Sequence, residues 1–198
     1  MSETAIASGF ADPGRDSQAV FRAAMMAMAR PGTICKLPVA LDAPAPLAPG
    51  TAALALALCD FETPIWLDPA LATEADVAGF LKFHTGAPIV VHPNEAAFAL
   101  VAGANEMPAL HRFAPGSLEF PDRSTTLFVQ VETLRKDGGW RLSGPGIAGR
   151  AHLSAAPLPP TFFEELKANH AVFPRGVDIY FVAGHRIAAL PRAILIDS

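Results

Sequence analysis

This chain is short of charge. Asp, Glu, Lys and Arg make up 17% of its 198 residues, 19 acidic and 15 basic, for a formal net charge of −4. About a quarter is usual in soluble proteins. So few charges leave apolar area open to water, which points to an interface with another chain. An alanine-rich but ordinary monomer is the plainer alternative. The acidic balance and a sequence pI of 5.8 give no bulk attraction to nucleic-acid phosphates or to an anionic membrane, so neither partner is expected. Local basic pockets stay open.

Cysteine is also scarce. Cys35 and Cys59 are the only two, and they form neither a metal pattern nor a disulfide framework. They read as buried free thiols in a reducing compartment. The longest apolar run, Ala52 to Cys59, is far short of the ~20 residues that span a membrane. Residues 1–18 carry Glu3, Asp12 and Asp16 and no basic start, so a cytoplasmic protein without a signal peptide is expected. His84, His92, His111, His152, His170 and His185 show no i, i+4 pair, and no metal site is expected. There is no P-loop, and Ser143 and Ser154 lack the setting of a nucleophile elbow. Lys36, Lys82, Lys136 and Lys167 lie in no recognisable Schiff-base setting, so no pyridoxal phosphate or other cofactor is expected.

What is present is apolar pattern. The hydrophobic fraction is 51%, and the length suits one domain. Residues 1–16 read as a flexible N-terminal arm and 17–198 as a single α/β domain. Ser17 offers a cap to a helix with Val20, Phe21, Ala24, Met25 and Met28 on one stripe, ended by Pro31-Gly32. Thr51 offers a cap to a wholly apolar helix through Leu58, and Thr73-Glu-Ala-Asp76 opens another that ends near Gly86. Phe162, Phe163 and Leu166 mark a fourth helix face. Strands are expected over 63–67, 88–92 (covered on both faces), 97–102 and 125–133. Asp137-Gly-Gly139 reads as a hairpin turn, and Gly184 centres a second hairpin. Helices alternating with strands, plus two hairpins, give a mixed sheet layered with helices.

Several segments are unusual, and they run the length of the chain. They are Phe21-Arg-Ala-Ala-Met-Met-Ala-Met-Ala-Arg-Pro-Gly32, Leu58-Cys-Asp-Phe-Glu-Thr-Pro-Ile-Trp-Leu67, Phe83-His-Thr-Gly-Ala-Pro-Ile89, Leu142-Ser-Gly-Pro-Gly-Ile147, Phe173-Pro-Arg-Gly-Val-Asp-Ile179 and Ala189-Leu-Pro-Arg192. Together they make the chain resemble the PhnH family, the H subunit of the carbon–phosphorus lyase system of phosphonate metabolism. The resemblance implies a three-layer α/β/α sandwich, similar to the large domain of pyridoxal-phosphate transferases but without the cofactor. It also implies a homodimer that binds the G, I and J subunits. With the G, I and L subunits, the H subunit would form a ribose 1-phosphonate 5-triphosphate from ATP and an alkylphosphonate, releasing adenine. The chain has no iron–sulfur cysteine motif, so it is not the radical enzyme that cleaves the C–P bond. ATP or a phosphonate at a shared site stays an option. So do a stand-alone small-molecule enzyme with its site at a dimer interface, and a purely structural scaffold.

No catalytic residue is assigned. The candidates for ligand or interface contacts are Arg22, Arg30, Asp60, His84, Gly144, Gly146, Arg175 and Arg192. A guanidinium matches phosphate or phosphonate oxygens two at a time, but ordinary ion pairing also accounts for these arginines. Phe173-Pro-Arg-Gly176 is a special turn leading into a strand, placing Arg175 towards a neighbour or ligand. His84 is either a packed histidine closing a helix stripe or a base. Asp60, with Glu62, is either a turn carboxylate or a ligand-facing pair. Gly144 to Gly149 fits G-x-G-x-x-G, but no helix signal follows, so the Rossmann reading fails for want of context. A tight turn remains, with backbone N–H groups that can meet an anion beside Arg141 or Arg150.

Overall fold

The computed structural model describes residues 6–197. Helix α1 spans Pro13–Ala29. Its cap is Asp12, whose side chain accepts from the Arg15 amide at 3.1 Å, with Pro13 at the first helical position. Ser17 therefore lies inside the helix. Of the expected arm, residues 1–5 lie outside the described residues, Ala7 and Phe10 pack on the core, and Pro13 to Asp16 are helical. Arg30 caps the far end, and Gly32 turns the chain at φ 84°. Helix α2, Pro49–Leu58, also starts earlier than its threonine suggests: Ala48 is the cap and Thr51 is fully buried within. A short α3 (Pro69–Ala72), α4 (Ala75–Thr85) and α5 (Phe162–Ala171) complete the α-helices among the described residues. Gly86 closes α4 at φ 70°, where an L side chain would be strained.

The strands are β1 Cys35–Lys36, β2 Ile65–Leu67, β3 Ile89–Val90, β4 Phe98–Val101, β5 Thr126–Gln130, β6 Thr133–Ser143, β7 Ala151–Ala156, β8 Asp178–Ala183, β9 Arg186–Leu190 and β10 Leu195–Asp197. Seven form one sheet in the order β1-β9-β8-β5-β4-β2-β3. The pairs from β8 to β3 are parallel, while β8–β9 and β9–β1 are antiparallel, so the sheet is mixed. A second, antiparallel sheet has the order β10-β6-β7.

Strand alternation divides the core in two. On one face Leu100, Phe128, Tyr180 and Val182 meet Val20, Ala24 and Ala27 of α1, the α2 alanines, and Phe80 and Leu81 of α4. On the other, Ala99, Leu127, Val129, Ile179 and Phe181 meet Leu134, Leu142 and Leu153 of the small sheet and Phe162 and Leu166 of α5. The molecule is thus α/β with a mixed sheet and helices, and its second outer layer combines strands with a helix.

Two expectations about strands change. Asp137-Gly-Gly139 is not a hairpin turn. β6 runs through it, and its pairing jumps from Arg135↔Ser154 to Trp140↔Leu153, leaving 136–139 as a bulge. Gly138 and Gly139 both sit at φ 73°, and a Cβ on Gly139 would lie 2.5 Å from the Leu153 carbonyl oxygen. The hairpin turn is the 144–149 loop between β6 and β7 instead. β3 is not covered on both faces either: it is the sheet edge, with Ile89 exposed and Val91 81% exposed beyond it.

Two contacts fasten α1 to the rest. A Cβ on Gly146, at φ 81°, would lie 2.2 Å from the Ala29 carbonyl oxygen. Tyr180 donates its hydroxyl to the Ala24 carbonyl at 3.1 Å, and burial, then the nearby Asp178 charge, push its pKa from 10.0 up to about 12.

Gly146→Ala is expected to cost about 2–4 kcal/mol, from left-handed backbone strain and a forced overlap. The shift of the urea midpoint measures it. The folded state holds the Tyr180 proton more tightly than the unfolded chain. Its stabilisation is therefore complete below pH 10.0 and is lost as pH rises towards about 12. Tyr180→Phe should flatten that alkaline limb in pH-dependent denaturation, and cost about 1 kcal/mol at neutral pH.

Candidate functional site

The structure does not gather the eight candidates into one site. Arg22 and Arg30 are exposed on α1 and in its cap. Asp60 is a turn residue: its carboxylate accepts from the Glu62 amide at 2.9 Å and the Thr63 hydroxyl at 3.2 Å. Glu62 points no second carboxylate into a pocket; both residues are exposed. His84 is a packed residue. Its Nε2 lies 3.0 Å from the Ala7 carbonyl, its ring lies tilted at 58° against Phe80 with centroids 4.5 Å apart, and Gly9 closes over Nδ1. Gly144 and Gly146 lie in the β6–β7 turn, Gly144 against Ala193 and Ile194 and Gly146 against the end of α1, with no helix following.

Arg192 is held by the fold. Its backbone amide donates to Asp178 Oδ1 at 2.8 Å and its Nε to the same oxygen at 3.1 Å. Its two terminal nitrogens take Asp178 Oδ2 and the Pro121 carbonyl. This bidentate pair is largely shielded from water, and three of the five guanidinium N–H donors are committed to the fold.

Arg175 is different. Among the described residues it enters no ion pair, and its Nε is buried without an acceptor. It lines a cavity of about 280 Å³ between α5 and the 108–115 segment, with His111, Glu165 and Asn169 as the other polar groups. The walls are otherwise apolar, including Leu110, Phe113, Val172 and Val177. Arg175 and His111 thus line one cavity, and His84 is not part of it.

A larger hollow of about 570 Å³ lies beyond the carboxyl ends of β4, β5 and β8. Ligands of open α/β sheets usually bind there. Its lining includes Asn105, Glu106, Gln130 and Glu132 and no Lys, Arg or His, so it is poorly suited to a polyphosphate. Asp68, at its margin, was not singled out by sequence. It is buried, and its carboxylate accepts from the amides of Leu71, Ala102 and Gly103 at 3.0, 2.9 and 2.7 Å. The Asp-Pro pair ahead of an apolar turn was the available signal, that of a helix cap. The role is to pin α3 to the end of β4.

Neither thiol is an activated nucleophile. Burial, reinforced by Asp60, pushes the Cys59 thiol far above the usual range. Burial also raises Cys35, opposed by Lys136. Among the described residues, no three His, Cys, Asp or Glu side chains come together as a metal cluster. No helix among them is long and apolar enough to cross a membrane.

Three of the exposed large apolar side chains lie together on α1. Phe21 and Met25 are 47% and 55% exposed on α1, with Met26 also open. They face away from the buried Val20, Ala24 and Ala27 of the same helix, and Arg22 stands among them.

Comparison with known proteins agrees with the segment pattern. The family model described as bacterial phosphonate metabolism protein (PhnH) matches residues 8–197. The alpha-D-ribose 1-methylphosphonate 5-triphosphate synthase subunit PhnH of Rhizobium meliloti (strain 1021) is 41% identical over 199 residues, covering 99% of this chain and 98% of the relative. HtxG of Stutzerimonas stutzeri, provisionally described as a C-P lyase subunit protein, is 34% identical over 102 residues, 52% of this chain and 51% of its own length. Matched from end to end by both the family model and a full-length relative, the chain belongs to the PhnH family of bacterial phosphonate metabolism proteins.

Proposed function

We propose that this chain is a subunit of an alpha-D-ribose 1-methylphosphonate 5-triphosphate synthase, working in phosphonate breakdown within a carbon–phosphorus lyase assembly. The carrying observation is the full-length 41% identity to a subunit of that name. In this reading the chain acts with the G, I and L subunits on ATP and an alkylphosphonate, in the cytoplasm. It forms a homodimer and docks on the G, I and J subunits. A three-layer sandwich like the large domain of pyridoxal-phosphate transferases belongs to the same reading.

Physical features support a subunit over a self-contained enzyme. Arg192, Asp60 and His84, three of the six polar candidates, are committed to the fold. Meanwhile α1 is apolar on two sides, and only one of them is packed within the chain. The open side, Phe21 and Met25 with Met26, is suited to a partner, and Arg22 among them offers a charge for register.

The tagged chain should co-purify from a phosphonate-grown host with the G, I and J subunits in fixed ratio, read by mass spectrometry. Recovery of the chain alone would contradict the proposal. Met25→Glu puts a charge into the open face. It should lower partner recovery about tenfold or more while leaving the thermal midpoint near that of the parent, because Met25 is already exposed.

A further inference from the structure

The cavity beside Arg175 is built rather than incidental. Asn169 on α5 accepts from the Val177 amide at 2.8 Å and donates to the Val177 carbonyl at 3.0 Å. The Gly176 amide donates to the Pro115 carbonyl at 2.8 Å. These bonds fix the turn that carries Arg175 between α5 and the 108–115 segment. On the opposite wall, Glu165 accepts from the Leu110 amide at 2.9 Å through one oxygen and from the Thr161 hydroxyl at 2.8 Å through the other. The only carboxylate in the lining is thus occupied by neutral donors, and it makes no ion pair with Arg175.

Arg175 has no ion-pair partner among the described residues. Its Nε is buried without an acceptor, and a buried donor left unmade costs more than a made bond contributes. The neighbouring walls are Leu110, Phe113, Val172 and Val177, which offer an anion no competing solvent-like dipoles but do offer contact to hydrocarbon. A volume of about 280 Å³ holds roughly nine waters at ~30 Å³ each, or an organic molecule of similar bulk. We propose that this cavity binds a small organic anion, its charged head on Arg175 and His111 and a short unbranched hydrocarbon tail against Phe113, Val172 and Val177. This site is separate from the α1 face, so the subunit proposal stands or falls independently of it.

Calorimetric titration of the full chain tests this, with hexanoate and butylphosphonate as tailed probes and acetate and inorganic phosphate as tailless ones. At least one tailed anion should bind about tenfold or more tightly than its tailless counterpart, because each buried methylene adds to affinity. Comparing the two tailed probes shows whether the head is a carboxylate or a phosphonate. Arg175→Gln should lower that affinity about tenfold or more, as expected for loss of a charge-assisted pair. Ala168→Trp, at an exposed position of α5 on the cavity rim, should do the same by occlusion and carries the test if Arg175→Gln fails to fold. The proposal is overturned if no probe binds, if tailed and tailless anions bind alike, or if affinity survives in the folded variants.

Discussion

The parallel strands β4, β5 and β8 impose the condition on which the rest of the molecule depends. Their residues are buried on both faces, so each face must be covered by something else in the chain. On one side the cover is α1, α2 and α4. On the other it is the small β10-β6-β7 sheet with α5. The committed polar groups serve this arrangement. Asp68 ties α3 to the end of β4, Tyr180 ties β8 to α1, and Asp178 ties the start of β8 to the Arg192 turn.

The two ends of the sheet differ in electrostatic character. The hollow at the carboxyl ends of the strands, where α/β ligands commonly sit, is acidic and neutral in its lining. The unpaired arginine lies at the opposite end, beside the start of β8. An anion is therefore drawn to the end that fold-level habit does not favour. The residues present, not the topology, decide this.

How much was legible in the sequence follows from how local each signal is. The helix faces of α4 and α5 and the β8–β9 hairpin were readable because periodicity and a single glycine encode them, whereas the stripe read on α1 took in Phe21 and Met25, which the structure leaves exposed, and missed the buried Ala27. Helix starts slipped because Ser17 and Thr51 look like caps in isolation, whereas Asp12-Pro13 and Ala48-Pro49 hold those positions. Asp137-Gly-Gly139 supplies positive φ equally to a turn and to a bulge; only the fit against Leu153 and Ser154 of β7 decides between them. Strand β3 carries a buried strand's composition at a sheet edge, and its order in the sheet is not a local property. Among site residues, type alone could not separate Arg192 from Arg175. Asp178, 14 positions from Arg192, takes one guanidinium, while no acidic side chain among the described residues takes the other. His111 was seen only as one of six scattered histidines, because its approach to Arg175 depends on how the 108–115 segment packs on α5.

The central claim is that the open side of α1 is covered in an assembly, and its two exposed methionines provide the probe. Oxidative footprinting would compare Met25 and Met26 in the chain alone with the same residues in the purified assembly. The account predicts that both oxidise readily in the isolated chain and that Met25 becomes protected, about tenfold or more, on assembly. Equal oxidation of Met25 in the two states would contradict it.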